Sequence, residues 1–402
     1  MKVSRRIEQM ATSSTFVMAA KAAEMKAAGI DVISLSLGEP DFNTPDHIKA
    51  AAVEAIDNNF SYYGPVPGFM ELRKAIAAKL RNENGLDYKP EQIIVSTGGK
   101  QALCNTVLAL LDEGDECILP TPCWVSYTEM VKLAGGVPVF VSCGIDNNFK
   151  MTAQQLRDAI TPKTRAIILC SPSNPSGSVY SRQEMAALAE VLRDYPQVMV
   201  ISDEIYEHIN YVGEHVSIAQ FPGMKERTVI VNGVSKAYAM TGWRIGWIAA
   251  EPWVAKACQK LQGQYTSCTC TIAMKAAQAA YEGPQECIAV MLEAFRKRRD
   301  LVVSLAREIP GFEVNVPDGA FYLFPKIDSF FGKSYRSADG EVKTIKDSND
   351  MAMFVLQEAH VAAVAGEAFM SPECIRFSYA TSEDRLVEAF RRVKEAVETR
   401  FM

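Results

Sequence analysis

The chain has 402 residues, of which 48% are hydrophobic and 22% are charged, and its formal net charge is -6. This is an ordinary globular composition with enough apolar material for a large core. Charges of both signs are interspersed, and without a basic patch or a polybasic run the composition argues against nucleic-acid and anionic-membrane partners.

The N-terminal segment, MKVSRRIEQMATSSTF, carries charges but no apolar h-region, so the sequence predicts no secretory signal. Apolar runs in this chain are shorter than the ~18 residues that a membrane span needs. We therefore expect a cytoplasmic protein. Farther along, Thr44 before Pro45 predicts the N-cap and first-turn proline of a helix.

Short apolar runs alternate with helix-period segments between residues 90 and 250. Two helices are predicted at 101–111 and 182–193, and Ser181 with Glu184 forms a capping-box signature at the start of the second. Strands that are apolar on both faces indicate a mostly parallel sheet covered by helices, to which the last run could add an antiparallel strand. The seven runs cover 92–96, 116–120, 137–141, 165–170, 198–202, 228–232 and 245–250.

The C-terminal third follows another pattern, typical of a smaller α+β domain. A long helix is predicted at 284–308, with its basic run 296–299 on a solvated face. A final helix places Leu386, Phe390 and Val393 on one stripe, continued by Val397. Polar, aperiodic residues predict a mobile loop at 328–349. Strand-like segments lie at 312–316, 320–325, 361–364 and 374–379.

These patterns predict an α/β protein with two domains. A large domain holds the seven-stranded, mostly parallel sheet, and a smaller α+β domain is built from the N-terminal arm and the C-terminal third. We expect the arm and part of the small domain at 1–45, the large domain at 46–290 and the rest of the small domain at 291–402.

The ten cysteines form no Cys-x-x-Cys pair, and the four histidines are widely spread. We interpret the cysteines as reduced, buried thiols and expect no metal site. Reduced thiols are typical of a reducing compartment.

Ligands in open α/β sheets bind at the carboxyl ends of strands, where several polar residues of this chain fall. Gly98, Gly99 and Lys100 open a helix, and such a start can bind a phosphate or be a plain helix N-terminus. Asn174, in SPSNPSG, is a ligand or simply part of a turn. Trp124 after another strand can stack on a planar group or belong to the core.

Asp203 follows the apolar run 198–202 and either binds a ligand or caps the following turn. Tyr206, three residues later, can equally be core. The stretch VSKAYAMTGWRIGW holds Lys236 and Arg244. A structural lysine would need a carboxylate partner, whereas a catalytic one needs burial or a nearby cation so that its neutral amine can attack a carbonyl. Arg244 can clamp a phosphate.

These features converge on one cofactor. Pyridoxal 5′-phosphate needs an amine for its aldehyde, a carboxylate for its ring nitrogen, an aromatic ring to stack on, and donors for its phosphate. The chain carries no P-loop, and the Gly-x-Gly-x-x-Gly fingerprint of dinucleotide sites is also missing, which disfavours an NAD-dependent dehydrogenase.

The motifs SKAYAMTGWRIG, NPSG and SDEIYEH, together with SRRIEQM, LSLGEPDF and IRFSYATSE, resemble those of the fold-type I pyridoxal-phosphate aminotransferases of class I, in particular the bacterial aspartate aminotransferases. The resemblance covers nearly the whole chain. It implies that Lys236 forms the Schiff base, Asp203 pairs with the pyridinium, Tyr206 donates to the ring O3′, and Arg244 binds the phosphate. Asn174 would contact O3′ and the substrate carboxylate.

The same resemblance assigns the remaining positions. Trp124 would stack on the ring, while Gly98, Gly99 and Lys100 match the phosphate loop. Gly38 would offer its backbone to the substrate and Arg376 would clamp the α-carboxylate. Tyr63 would reach the phosphate of a partner subunit, which implies a homodimer. Gly233 stands where some relatives carry a phosphate-binding serine, which leaves Ser235 as a substitute.

The implied activity is ping-pong amino transfer through Lys236 between an amino acid, first of all L-aspartate, and 2-oxoglutarate. Lys100 with Ser13, Ser14 and Thr15 would bind the distal carboxylate. The alternatives are an aromatic, alanine or prephenate aminotransferase, or a carbon–sulfur β-lyase on the same fold. Some relatives that act on prephenate carry a lysine in the N-terminal arm, whereas residues 10–13 here are Met-Ala-Thr-Ser, which argues against that substrate.

Overall fold

A computed structural model of the chain describes residues 3–11 and 14–401. Its helices and strands are numbered in chain order. The helices are α1 Arg5–Glu8, α2 Ser14–Ala27, α3 Asp46–Asp57, α4 Met70–Asn84, α5 Gly98–Leu110, α6 Val125–Leu133, α7 Ala153–Ala159, α8 Arg182–Arg193, α9 Pro252–Tyr265, α10 Thr271–Glu282, α11 Glu286–Arg307, α12 Ser348–Ala359 and α13 Glu383–Arg400. The strands are β1 Ile33–Ser34, β2 Ile93–Ser96, β3 Glu116–Thr121, β4 Val137–Ser142, β5 Thr164–Cys170, β6 Met199–Asp203, β7 Thr228–Gly233, β8 Gly246–Ala249, β9 Tyr322–Leu323, β10 Ser334–Arg336, β11 Val342–Thr344, β12 Val361–Ala362, β13 Val364–Ala365 and β14 Ile375–Ser378.

A seven-stranded sheet with the order β2-β8-β7-β6-β5-β3-β4 forms the centre of the molecule. Strand β8 runs antiparallel to both of its neighbours, and the other adjacent pairs are parallel. All seven strands predicted from the apolar runs are present, including the antiparallel one. The α/β fold class is therefore confirmed.

Successive side chains of the strands enter different cores because a strand alternates its faces. Cys117 and Leu119 pack on one face with α5, α6 and α9, whereas Ile118 packs on the other face with α8. Helices α3, α4 and α10 cover that second face near β2. Ser181 caps α8 by accepting the amide of Glu184, as the sequence predicts.

A separate core unites the two ends of the chain. Residues of α2 and β1 share it with residues of α11, α12, α13 and the small sheets. These sheets are an antiparallel trio β13-β14-β9 and a parallel pair β1-β12. Leu35 also accepts the amide of Ser378 at 2.7 Å. The N-terminal segment is thereby joined to the C-terminal third.

The prediction of a mobile loop at 328–349 is wrong, because this segment contains the antiparallel hairpin β10–β11. Tyr335 and Ile345 are buried, and the ring of Tyr335 lies 4.8 Å from that of Phe354 on α12. A turn at Gly340 closes the hairpin. The local sequence is polar, but a few apolar residues anchor it on distant elements.

Other expectations also need correction. Residues 312–316 form a single bridge, Glu313 to Lys326, rather than a strand. Thr44 does not cap α3, because its hydroxyl donates to the carbonyl of Ala239 at 2.8 Å. The run 296–299 is only partly a solvated face, since Lys297 is exposed but Arg298 is buried and makes two hydrogen bonds to Asp41, at 2.6 and 3.0 Å.

The ten cysteines, all inside the described ranges, are free thiols. Five of them are buried, but Cys270 is exposed, so the expectation of buried thiols does not hold for every position. Among the helices described between residues 3 and 401, none has the length and apolarity that crossing a bilayer requires.

Candidate active site

A cavity of about 220 Å³ opens at the carboxyl ends of the parallel strands. Its wall combines the ends of β5, β6 and β7 with the start of α5 and with the N-terminal segment around Gly38. Most of the predicted site residues line this one cavity. They are Gly38, Gly99, Lys100, Trp124, Asn174, Asp203, Tyr206, Ser235, Lys236, Arg244 and Arg376.

Lys236 lies just beyond the end of β7, and its Nζ donates to the carbonyl oxygen of Gly38 at 2.6 Å. Burial lowers the pKa of Lys236 to about 8, Glu39 opposes this shift, and the charges of Arg376 and Arg244 add to it. A substantial fraction of this amine is therefore neutral near pH 8 and able to attack a carbonyl carbon.

Asp203 ends β6 with its carboxylate in the cavity wall. Burial raises the pKa of Asp203 to about 6, while the hydroxyl of Tyr127, which donates to Oδ2 at 2.6 Å, acts in the opposite direction. The backbone amide of Ile205 donates to Oδ1 at 3.3 Å. A buried carboxylate of this kind favours a cationic partner, because burying an unpaired charge is costly.

Tyr206 begins a pair of phenols in the same wall. Its hydroxyl lies 2.7 Å from that of Tyr322 on β9. The Nζ of Lys236 lies 5.7 Å from the centroid of the Tyr206 ring. Burial raises the pKa of Tyr206 well above its usual value, so this phenol stays protonated and can donate.

Arg376, on β14, is only 2% exposed. Its Nη1 donates to Oδ1 of Asn174 at 2.9 Å and its Nη2 to the carbonyl of Ser36 at 2.6 Å. The guanidinium carbon lies 4.6 Å from the centroid of the Tyr322 ring. Among the described residues, no acceptor reaches the buried Nε atom. Arg376 is thus a buried cation held by two hydrogen bonds, and its Nε–H is available to a ligand.

Arg244 lines the cavity and lies against the start of α5. It has a positive φ of 57°, which is uncommon outside glycine and marks a backbone held by its surroundings. A Cβ on Gly98, whose own φ is +81°, would come within 2.3 Å of Nη2 of Arg244. Only glycine therefore lets the guanidinium reach the start of the helix. The guanidinium and the helix N-terminus together favour binding of an anion there.

Ser235 lines the cavity, but Gly233 cannot be replaced by serine without a backbone shift. Gly233 pairs with Gly246 across β7 and β8, and a Cβ at Gly233 would lie 2.7 Å from the carbonyl oxygen of Ile245. The close approach of these strands explains why the hydroxyl near Lys236 belongs to Ser235.

Trp124 precedes α6 and presents its indole to the cavity. The Nζ of Lys100 lies 4.8 Å from the centroid of this ring. Burial lowers the pKa of Lys100, as does the charge of Arg244. Lys100 also borders a second, larger hollow of about 750 Å³ that opens beside the first.

Gly98 does not line the cavity but adjoins Arg244, which does, whereas Tyr63 lies away from it with its side chain 93% exposed. Its neighbour Tyr62 is 81% exposed. Of the residues expected to bind a distal carboxylate, Ser13 lies outside the described residues. The side chains of Ser14 and Thr15 are not described either, although their backbone belongs to α2.

A buried ion pair between Lys79 and Glu207 belongs to a hydrogen-bond network that connects the ends of β6 and β7. Lys79 on α4 donates to Glu207, which also accepts from Asn84 at 3.0 Å and from Asn232 at 2.7 Å. Although burial alone would raise it, the charge of Lys79 holds the pKa of Glu207 below its usual range. Because Asn232 belongs to β7, this network joins the turn after Asp203 to the strand that leads to Lys236.

Tyr127, Tyr322 and Ser36 also contact the site, although the sequence does not predict them as site residues. Two are buried tyrosines, which read as ordinary core residues, and the third contributes only its carbonyl oxygen. Tyr127 follows Trp124 by three residues and Ser36 lies inside LSLGEPDF, which is the signal that could have indicated them, whereas the sequence around Tyr322 carries none of the named motifs.

Comparison with known proteins gives consistent matches. The family profile "Aminotransferase class I and II" matches residues 30–393. An aspartate/prephenate aminotransferase of Cereibacter sphaeroides is 49% identical over 384 residues, which cover 95% of each chain. The crystal structure of the aspartate aminotransferase from Rhizobium meliloti has a TM-score of 0.95 and 44% identity, with 100% of both chains covered. The Thermus thermophilus aspartate aminotransferase with maleate has a TM-score of 0.91 and 40% identity, covering 98% of this chain and 100% of the other.

Proposed function

The chain belongs to the class I and II aminotransferases and is an enzyme, and on that premise we propose that it transfers the amino group of L-aspartate to 2-oxoglutarate with pyridoxal 5′-phosphate as cofactor. The observation that carries this proposal is the meeting of Lys236, Asp203, Arg244 and Arg376 in one cavity. Each supplies a group that the reaction needs, and they come from three separate stretches of the chain, because Lys236 and Arg244 share one.

The residues fit the cofactor. Lys236 would hold its aldehyde, Asp203 its ring nitrogen, and Tyr206 with Asn174 its O3′. Trp124 would stack on the ring. The phosphate would lie at the start of α5 formed by Gly98, Gly99 and Lys100, with Arg244 and Ser235. When bound, the cofactor supplies an electron sink for the bonds at the substrate α-carbon.

Lys236 would act as the base that moves a proton at the substrate α-carbon. Its pKa of about 8 suits this task because a neutral amine is available near physiological pH. Asp203 would keep a positive charge on the ring nitrogen. Tyr206, which stays protonated, would donate a hydrogen bond rather than accept a proton.

Arg376 would bind the substrate α-carboxylate. The planar guanidinium suits a carboxylate because two parallel N–H groups can contact its two oxygens. The orphaned Nε and the neighbouring Asn174 support this role. Gly38, whose carbonyl accepts from Lys236, would line the substrate on the opposite side.

Lys100 would recognise the distal carboxylate of aspartate. Its amine lies over the ring of Trp124, and it lines the same cavity as Arg376, which supports a role as the second cation. The Thermus thermophilus relative was solved with maleate, a dicarboxylate, which supports a site for two carboxylates.

We further propose a homodimer in which Tyr63 completes the partner's site. Tyr62 and Tyr63 are large aromatic residues that are almost fully exposed in the single chain, which is unusual unless another surface covers them.

We also propose that the chain is divided into an N-terminal arm with part of the small domain at 1–45, a large cofactor-binding domain at 46–290 and the rest of the small domain at 291–402.

The decisive experiment is an assay of amino donors with 2-oxoglutarate. Aspartate should be the preferred donor, with oxaloacetate as product, and borohydride reduction should fix the cofactor to Lys236. Formation of pyruvate and ammonia from a thiol-bearing substrate instead would indicate a β-lyase. Labelling of a different lysine would refute the role of Lys236.

Prephenate is the second candidate amino acceptor, because the Cereibacter sphaeroides relative is named for it. The absence of a lysine at residues 10–13 argues against it. Aspartate-dependent amination of prephenate at a rate comparable to that of 2-oxoglutarate would establish this activity.

A further inference from the structure

Tyr127 is the side chain that donates to Asp203, and neither the motifs nor the names of the relatives assign it a role. We propose that Tyr127 is a positioning residue that holds Asp203 ionised and aimed at the ring nitrogen of the cofactor. This inference rests on the proposed function.

The contact is short and shielded from water. The phenol donates to Oδ2 of Asp203 at 2.6 Å, which is the length expected for an O–H donor to a carboxylate. Tyr127 is 2% exposed and Asp203 is 5% exposed. In the described part of the chain, the other donor to the carboxylate of Asp203 is the amide of Ile205, at a longer 3.3 Å.

The direction of this hydrogen bond is fixed by chemistry. Burial raises the pKa of Tyr127 well above its usual value, so the phenol keeps its proton and must donate. Oδ2 of Asp203 must then accept, which favours the ionised carboxylate. A carboxylate held in this way is ready to pair with a cationic ring nitrogen.

The position of Tyr127 on α6 gives it a second influence. Its amide donates to the carbonyl of Trp124 at 3.0 Å, and its ring meets that of Trp124 edge-on, with centroids 5.5 Å apart. The start of α6 therefore fixes the positions of both the ring of Trp124, which is proposed to stack on the cofactor, and the carboxylate of Asp203. A rigid scaffold of this kind holds both at the distances that the cofactor ring requires.

A purely structural role would give a different result. If the hydroxyl serves only to satisfy a buried carboxylate, its loss should affect stability but not distinguish ligands with and without a ring nitrogen. The two roles separate when the ligand changes by that one atom.

The experiment measures binding to the cofactor-stripped protein. The first probe is pyridoxamine 5′-phosphate, which cannot bond covalently to Lys236. The second is its counterpart with CH in place of the ring nitrogen. The proteins are the wild type, Tyr127→Phe and, as a control, Tyr180→Phe. Tyr180 is also a buried tyrosine, but its hydroxyl accepts the amide of Met151 at 2.8 Å away from the site.

Tyr127→Phe should weaken binding of pyridoxamine 5′-phosphate about 10-fold or more, the scale of a lost hydrogen bond to a charged group. The same variant should change the affinity for the CH counterpart by less than about twofold relative to the wild type. Tyr180→Phe should change the affinity for either probe by less than about twofold. If Tyr127→Phe does not fold, Tyr127→Met also lacks the hydroxyl and takes its place.

Equal losses for both probes, or no loss for either, would overturn the role of Tyr127 while leaving the proposed function intact. If the wild type binds neither probe, the cofactor assignment fails and this inference fails with it.

Discussion

Replacing Lys236 by methionine should make the cofactor-free protein more stable at neutral pH. The amine is enclosed by the cavity wall, and burial lowers its pKa from 10.5 to about 8. A group whose folded pKa is lowered binds fewer protons in the folded than in the unfolded chain. The wild type therefore gains stability as pH rises between about 8 and 10.5 and is penalised below that window.

The magnitude follows from the shift. From 10.5 to about 8, at about 1.4 kcal/mol per pKa unit, the penalty is about 3 kcal/mol at pH 7 and about 1 kcal/mol at pH 10. Methionine also loses the hydrogen bond from Nζ to Gly38, which costs about 1 kcal/mol. The net gain should thus be about 2 kcal/mol at pH 7 and close to zero at pH 10.

The assay is urea unfolding of the cofactor-free wild type and Lys236→Met at pH 7 and pH 10. Lys260→Met is the matched control, because Lys260 is an exposed lysine of α9. Lysine and methionine have similar helix propensities, so this control should stay within about 0.5 kcal/mol of the wild type. A variant less stable than the wild type at pH 7, or a gain that does not depend on pH, would refute the reasoning.

Three further predictions test the proposed site. Asp203→Asn keeps the size but removes the charge, and turnover should fall by several orders of magnitude; a loss below about tenfold, about 1.4 kcal/mol of barrier, would contradict its role. Lys100→Ala should lower kcat/KM for aspartate by about 10- to 150-fold, the loss of a charge-assisted hydrogen bond, and leave that for phenylalanine nearly unchanged. Equal losses on both substrates would mean that Lys100 serves the cofactor or the fold. Mixing Tyr63→Ala and Lys236→Ala subunits should restore activity in one of the two sites of each heterodimer, and verified heterodimers without activity would show that each site is built within one chain.

The central sheet could be predicted from the sequence because its strands are buried on both faces. Each appears as a continuous apolar run, and this signal is local. The same holds for α8, whose cap lies within its own sequence at Ser181. The site residues at the strand ends could be found because polar side chains stand out after such runs.

Contacts between distant segments could not be predicted. Nothing near Tyr335 indicates that its ring packs on Phe354 and Phe401, and without that information the hairpin looks like a loop. Likewise, Arg298 appears in a basic run, and its partner Asp41 lies far away in sequence. Tyr127 could not be predicted for a similar reason. A buried tyrosine looks like an ordinary core residue until its hydrogen-bond acceptor, here the distant Asp203, is known.

The joining of both chain ends at Arg376 sets an order of events during synthesis. Arg376 donates to Ser36 across 340 positions, and β1 pairs with β12. At about 5–20 residues per second, the segment around Ser36 waits on the order of tens of seconds for its partners to leave the ribosome. The seven-stranded sheet can form during this interval, but Ile33 and Leu35 stay uncovered and the arginine of the site is still missing. The apolar side chains of this N-terminal segment therefore stay without their native partners until the last strands have been synthesised.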